Sequence, residues 1–99
     1  MNDIKLLGNL TNELELKSTK KERPYSWFTI AVPRHNNHIE ADYIRCVAFD
    51  QLATDLVSHC KKGRKLLVDG RLEVSQPNSP EDKNQIFYSV VARQISFLK

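Results

Sequence analysis

A glycine lies inside each of two apolar, strand-like stretches, and this restricts the fold more than any other feature of the chain. The first stretch, Ile4-Lys5-Leu6-Leu7-Gly8-Asn9-Leu10-Thr11, stands at the N-terminus; the second is Lys65-Leu66-Leu67-Val68-Asp69-Gly70-Arg71-Leu72. Glycine weakens a strand interior and is kept where the strand bends, bulges or meets another backbone closely, as at a barrel corner. Two bent strands within 99 residues predict a small, closed, strongly coiled sheet. That length makes one domain, residues 1–99, with a modest core that gains from oligomerisation.

The remaining elements follow from periodicity. Residues 3–10 read as the first strand, and Glu13-Leu14-Glu15-Leu16-Lys17 alternates and continues it past a bend. The basic stretch Ser18 to Pro24 reads as a turn. Tyr25 to Pro33 is aromatic and β-branched, a second strand with Phe28, Ile30 and Val32 on one face and Trp27, Thr29 and Ala31 on the other. Arg34 to Ala41 reads as a hairpin loop. Asp42 to Phe49 is a third strand, with Ile44, Cys46 and Ala48 on one side and Tyr43, Arg45, Val47 and Phe49 on the other. Leu52, Ala53, Leu56, Val57 and Cys60 then recur at helical spacing, with Asp50 as N-cap and Gly63 beyond the end. A fourth strand covers 65–74, a long loop runs from Ser75 to Gln85, and a last strand spans Ile86 to Leu98.

Three strands, a helix and two strands is the order of an OB-fold, an all-β, five-stranded Greek-key barrel with one short helix. Such barrels bind oligonucleotides on strands two and three and with the loops joining strands 1–2 and 4–5. The net charge of +3 permits a polyanionic partner without requiring one. Cys46 and Cys60 are too few for a disulfide framework and form no paired motif, so they read as buried free thiols. No apolar run approaches membrane-spanning length and no signal-peptide stretch opens the chain, so the expected location is cytoplasmic.

Six segments in order then resemble one family. They are Leu7-Gly8-Asn9-Leu10-Thr11; Phe28-Thr29-Ile30-Ala31-Val32; Ala41-Asp42-Tyr43-Ile44-Arg45-Cys46-Val47-Ala48-Phe49; Lys62-Gly63; Val68-Asp69-Gly70-Arg71-Leu72; and Val90-Val91-Ala92 with Ile95-Ser96-Phe97-Leu98. The chain resembles the bacterial and phage-type single-stranded DNA-binding proteins over nearly its whole length. The resemblance implies sequence-independent binding of single-stranded DNA in replication, recombination and repair. It also implies a homo-oligomer, a tetramer or else a dimer. By the same resemblance Tyr43 and Phe49 match base-stacking positions with Arg45 between them, and Lys17, Lys61 and Lys62 match basic ones. Stacking on a ring is indifferent to base identity, and basic side chains along the path neutralise phosphates. Arg34 and Arg71 join them as phosphate contacts. Trp27, by parity away from the core, is either a further stacking platform or a subunit contact.

The chain departs from the family in places. Where members carry aromatics it has polar residues around His35 to Asn37, and Pro77 after the fourth strand; Asp3 replaces a basic residue. Weaker binding or a shorter site is expected. The chain stops one residue after the last strand motif, so either a tail has been removed or the protein is naturally tail-less, and recruitment of replication partners through an acidic tail is not expected of this chain. Tyr25, Phe87, Tyr88 and Phe97 read as packing residues. His35 and His38 lack further ligands at zinc spacing; no nucleophile motif or phosphate loop is present. Neither cofactor nor catalysis is expected. The rival readings are an accessory replication subunit that keeps the fold with weak DNA binding, and a small nuclease, for which clustered carboxylates are missing.

Overall fold

The structure, a computed structural model, describes residues 1–34, 37–75 and 86–98, with the backbone alone at 37 and 38. Its elements are β1 (Ile4–Leu10), β2 (Lys17–Ser18), β3 (Pro24–Arg34), β4 (Asn37–Phe49), α1 (Asp50–His59), β5 (Lys65–Ser75) and β6 (Phe87–Phe97). The sheet order is β1-β5-β6-β4-β3-β2, and an extra β1–β3 pairing closes it into a barrel. With β2 as a short return of the chain after β1, this is the five-stranded, one-helix OB-fold expected from the element order. Closure rests on two registered pairs, Asn9↔Ala31 and Leu10↔Ile30. β1 otherwise lies along β5, from Ile4↔Gly70 to Asn9↔Lys65.

The two strand glycines stand where backbones cross. A Cβ on Gly8 would lie 2.5 Å from the Ala31 carbonyl oxygen, and one on Gly70 would run into the carbonyl oxygen of Val91. Neither has positive φ, so what each supplies is space. Gly8 sits where β1 passes from β5 to β3. Gly70 follows the register shift between β5 and β6, which leaves Arg93 as the extra residue.

Inward parity builds the core from Leu10, Phe28, Ile30, Cys46, Ala48, Leu66, Val68, Val90 and Ile95, and α1 adds Ala53 and Leu56. Helical spacing thus places one apolar stripe against the barrel. Both cysteines are free and buried. Burial pushes the Cys46 thiol up to about 12 from its ordinary 9.0 and raises that of Cys60. A neutral, enclosed thiol is a poor nucleophile, so a thiol reagent at about pH 8 labels neither cysteine until the protein is unfolded. Because the folded Cys46 thiol holds its proton longer than the unfolded one, the stability it contributes is intact below pH 9.0 and is lost as pH rises toward about 12. Rapid labelling of the native protein would contradict this packing.

Three sequence expectations change. Glu13 to Leu16 is not a strand, and the chain rejoins the sheet only at Lys17–Ser18. Asn12 Oδ1 accepts the Thr29 N–H at 2.8 Å, taking the edge group that a longer strand would have used. The loop expected from Arg34 to Ala41 is mostly strand: β3 runs to Arg34, and β4 begins at Asn37. Arg34 donates to Asp42 at 3.0 Å and Glu40 at 3.2 Å, so charges that read as a loop pair across the hairpin. Asp50 is not an N-cap. Phe49 holds that position without a side-chain cap, and Asp50 stands at φ 57 with its carboxylate on Arg23.

Candidate functional site

The outward parity of β3 and β4 sets rings and arginine on one surface. Tyr25 faces Phe49, Trp27 faces Val47, Thr29 faces Arg45 and Ala31 faces Tyr43. β6 extends the surface through Val47↔Val91, and β5 through Val91↔Arg71. Arg71, Val91, Val47 and Trp27 therefore form one row across four strands. Val47 points outward yet is only 3% exposed, because it forms the floor between Tyr25, Trp27 and Phe49.

Trp27 lies at the centre. On one side it shares a groove with Thr19, Tyr25, Val47 and Phe49. On another it meets Arg45, Ser75, Phe87, Tyr88 and Ser89 around a cleft of about 340 Å³. On a third it meets Asn12, Glu13, Glu15 and Lys17. Shallow clefts at the lower end of small-molecule pocket volume, joined through one ring, suit flat groups laid along a track. The Arg45 guanidinium stands 4.0 Å over the Trp27 ring, a cation–π contact worth about 0.5–1 kcal/mol at an exposed site. Tyr25 and Phe49 have ring centroids 6.3 Å apart, tilted by 39°, and the Arg23 guanidinium lies 4.3 Å over Phe49.

The nominated residues divide into three groups. Trp27, Arg45, Phe49 and Lys17 come together around the clefts. Tyr43 lies further along the same face of β4 and is 71% exposed. Arg71 shares that face but holds Glu73 at 3.0 Å, and Arg34 holds Asp42 and Glu40. Lys61 and Lys62 lie apart from both sets, after α1, where they line a cavity with Val57 to Arg64 that shares no residue with the Trp27 clefts. Among the described residues Lys17, Arg45, Lys61 and Lys62 make no ion pair.

Further charge is held at the N-terminal edge. Arg93 bonds Asp3 at 2.7 Å and the Gly70 carbonyl oxygen at 2.8 Å, and Lys5 bonds Asp3 at 3.1 Å. The Lys5 hydrogen bond, with its charge, holds the Asp3 carboxyl below its usual value. Asn2 pairs with Leu72 as a strand would, donating to its carbonyl oxygen and accepting from its N–H.

Sequence reasoning had assigned Tyr25, Phe87 and Tyr88 to packing. Phe87 and Tyr88 are 56% and 59% exposed and line the cleft beside Trp27; Tyr25 lines the adjoining groove. A usable signal existed for Tyr25, which is two residues from Trp27 and shares its parity. His35, Asn36, the His38 side chain and Pro77 lie outside the described residues. Among the described residues no group of three potential ligands could hold a metal ion. No described helix is long and apolar enough to cross a membrane.

Residues 1–98 match the model of the single-strand binding protein family. A single-stranded DNA-binding protein of Fusobacterium nucleatum is 41% identical over 103 residues, covering 98% of this chain and 66% of its own. Single-stranded DNA-binding protein 2 of Listeria monocytogenes is 33% identical, covering 100% of this chain and 64% of its own. Single-stranded DNA-binding protein 1 of Streptococcus pyogenes is 29% identical, covering 100% and 79%. The chain thus spans a little under two thirds of the length of the first two relatives.

Proposed function

The chain belongs to the single-strand binding protein family, and we propose that it binds single-stranded DNA, as its relatives are named for doing, and does so without regard to sequence. The observation that carries this is Trp27 at the junction of three clefts, with Tyr25, Phe49 and Phe87 beside it and Arg45 and Lys17 within the same clefts. Bases stack on the rings, each worth about 1–3 kcal/mol. Lys17 and Arg45 meet the phosphates, with Tyr43 further along the path. Lys61, Lys62, Arg34 and Arg71 serve a longer strand that passes beyond the clefts. The work is protection of exposed strands during replication, recombination and repair, in the cytoplasm with the nucleoid, without a catalytic step.

The assembly is a homo-oligomer, a tetramer or a dimer, built on β1. Among the described residues, that strand pairs from Ile4 to Gly8 on one side only, with β5, and an open edge invites its twin. Leu7 and Leu67 face each other on its outer surface, 43% and 38% exposed. One observation favours the second reading, an accessory subunit with weak DNA binding: Arg23, Arg34, Arg71 and Arg93 all hold carboxylates.

The test is a titration of Trp27 fluorescence with oligo-dT at two salt concentrations, with a mobility shift and the protomer number from light scattering on the same samples. Saturable quenching that weakens with salt is expected, log K falling by about 0.7 per phosphate contact for each unit of log salt. No quenching and no shift at low salt would reject strand binding and leave the accessory reading.

A further inference from the structure

We propose that Arg23 is a strand-binding residue of this face and that Asp50 holds it over Phe49 in the empty protein, as a built-in competitor of the phosphate. The inference rests on the strand-binding reading above and extends it to a residue pair outside the nominated path. Arg23 grips Asp50 as a fork: Nε lies 3.1 Å from both carboxylate oxygens, and Nη2 lies 3.0 Å from one. The same guanidinium covers the Phe49 ring at 4.3 Å, while Tyr25 stands beside that ring. One face of Phe49 is therefore already occupied before any strand arrives.

The backbone on both sides is shaped for this contact. Asp50 sits at φ 57. A non-glycine residue keeps such a conformation where its surroundings over-determine it, and the hydrogen bonds of this carboxylate run to Arg23. On the other side the turn is closed by Glu22 N–H to Thr19 O and Thr19 N–H to Arg23 O, both 2.9 Å, with Glu22 at φ 63. That turn delivers Arg23 at the start of β3, next to the groove of Thr19, Tyr25, Trp27, Val47 and Phe49.

A guanidinium fork matches carboxylate and phosphate alike, so the grip on Asp50 is transferable to a strand. Both side chains are more than half exposed, 53% and 58%, and an exposed pair opens at little cost. Other arginines also hold carboxylates, but among the described residues Arg23 alone does so while lying over an aromatic ring. A base reaching Phe49 lifts Arg23, and the freed fork takes the neighbouring phosphate only by giving up Asp50. Asp50 is thus a positioning residue that weakens binding.

The experiment compares the full chain with Asp50→Asn, Arg23→Gln and the double variant, by oligo-dT affinity across a salt series. Asparagine keeps the shape of Asp50 and tolerates its φ. Asp50→Asn is expected to bind about two- to fivefold tighter at low salt, with a salt slope steeper by about 0.7. The gain should vanish when Arg23 is already Gln. In the wild-type chain the Arg23 Nε–H resonance should move on adding oligo-dT, a readout that needs no variant to fold. An Asp50→Asn chain equal to wild type in affinity and slope overturns the proposal, as does a gain that survives without Arg23 or an unmoved resonance in a bound chain. If the wild-type chain itself binds no oligo-dT, the strand-binding reading fails first and takes this one with it.

Discussion

Gly70→Ala lowers stability by about 3 kcal/mol, which for a domain of this size is a fall in thermal midpoint of roughly 12–24 °C. The added methyl meets main chain, not a side chain that can turn away. Besides the Val91 oxygen it would lie 3.0 Å from the Val91 carbonyl carbon and 3.1 Å from the Ala92 Cα. β6 must retreat, and the retreat pulls on Arg93, whose guanidinium ties Gly70 O to Asp3. The useful control is Gly63→Ala. Gly63 has φ 96 and open space around it, so its substitution carries only the left-handed backbone penalty, about 1–2 kcal/mol. Thermal unfolding followed by far-UV circular dichroism separates the two. Equal losses at Gly63 and Gly70 would mean that the crossing of β5 and β6 has slack and that steric closure does not set the barrel.

Trp27→Ala weakens oligo-dT binding about 5- to 150-fold, the range of one lost stacking platform, while the fold loses about 1–2 kcal/mol, from the cation–π contact and the part of the ring that covers Val47, and stays folded. The two effects separate because the indole points away from the core at 37% exposure and its contacts are those of the outer surface, with Arg45 and Lys17 among them. Trp27→Phe should recover most of the affinity, since a smaller ring still offers a face. Direct binding by mobility shift is the measurement, because the variants lack the fluorophore. If Trp27→Ala binds as wild type and instead changes the protomer number in light scattering, the ring belongs to a subunit contact and the path of the strand runs elsewhere.

The barrel could be read from the sequence because its signals are local. Alternation gave inner and outer faces, and the change to helical spacing after Phe49 marked α1 to within a residue. The misjudged places are those where a side chain substitutes for main chain. Asn12 takes a strand edge, and Arg34, read as the start of a loop, pairs with Glu40 and Asp42 across the hairpin. For the site, parity found the side of Trp27, but parity says which way a ring points, not whether anything covers it. Phe87 was therefore assigned to packing although it stands open beside Trp27. The arginine pairings divide by distance. Arg71 and Glu73 are neighbours on one strand face, whereas Arg23 and Asp50 meet across 27 positions through a turn that composition does not announce.

The pairing of β1 has a consequence for how the molecule is made. Its partner along most of its length is β5, and the register joins Ile4 to Gly70. A ribosome releases β1 first and β5 only after β3, β4 and α1 are complete. From Ile4 to Gly8, β1 thus emerges apolar and bent and waits for its partner until β3, β4 and α1 have been made. Non-local pairing of this kind slows folding and leaves transient edges exposed to other chains. The lysine at position 5 and the asparagine at position 9 face outward on that strand, the kind of polar interruption that lowers the tendency of an apolar segment to pair with other chains.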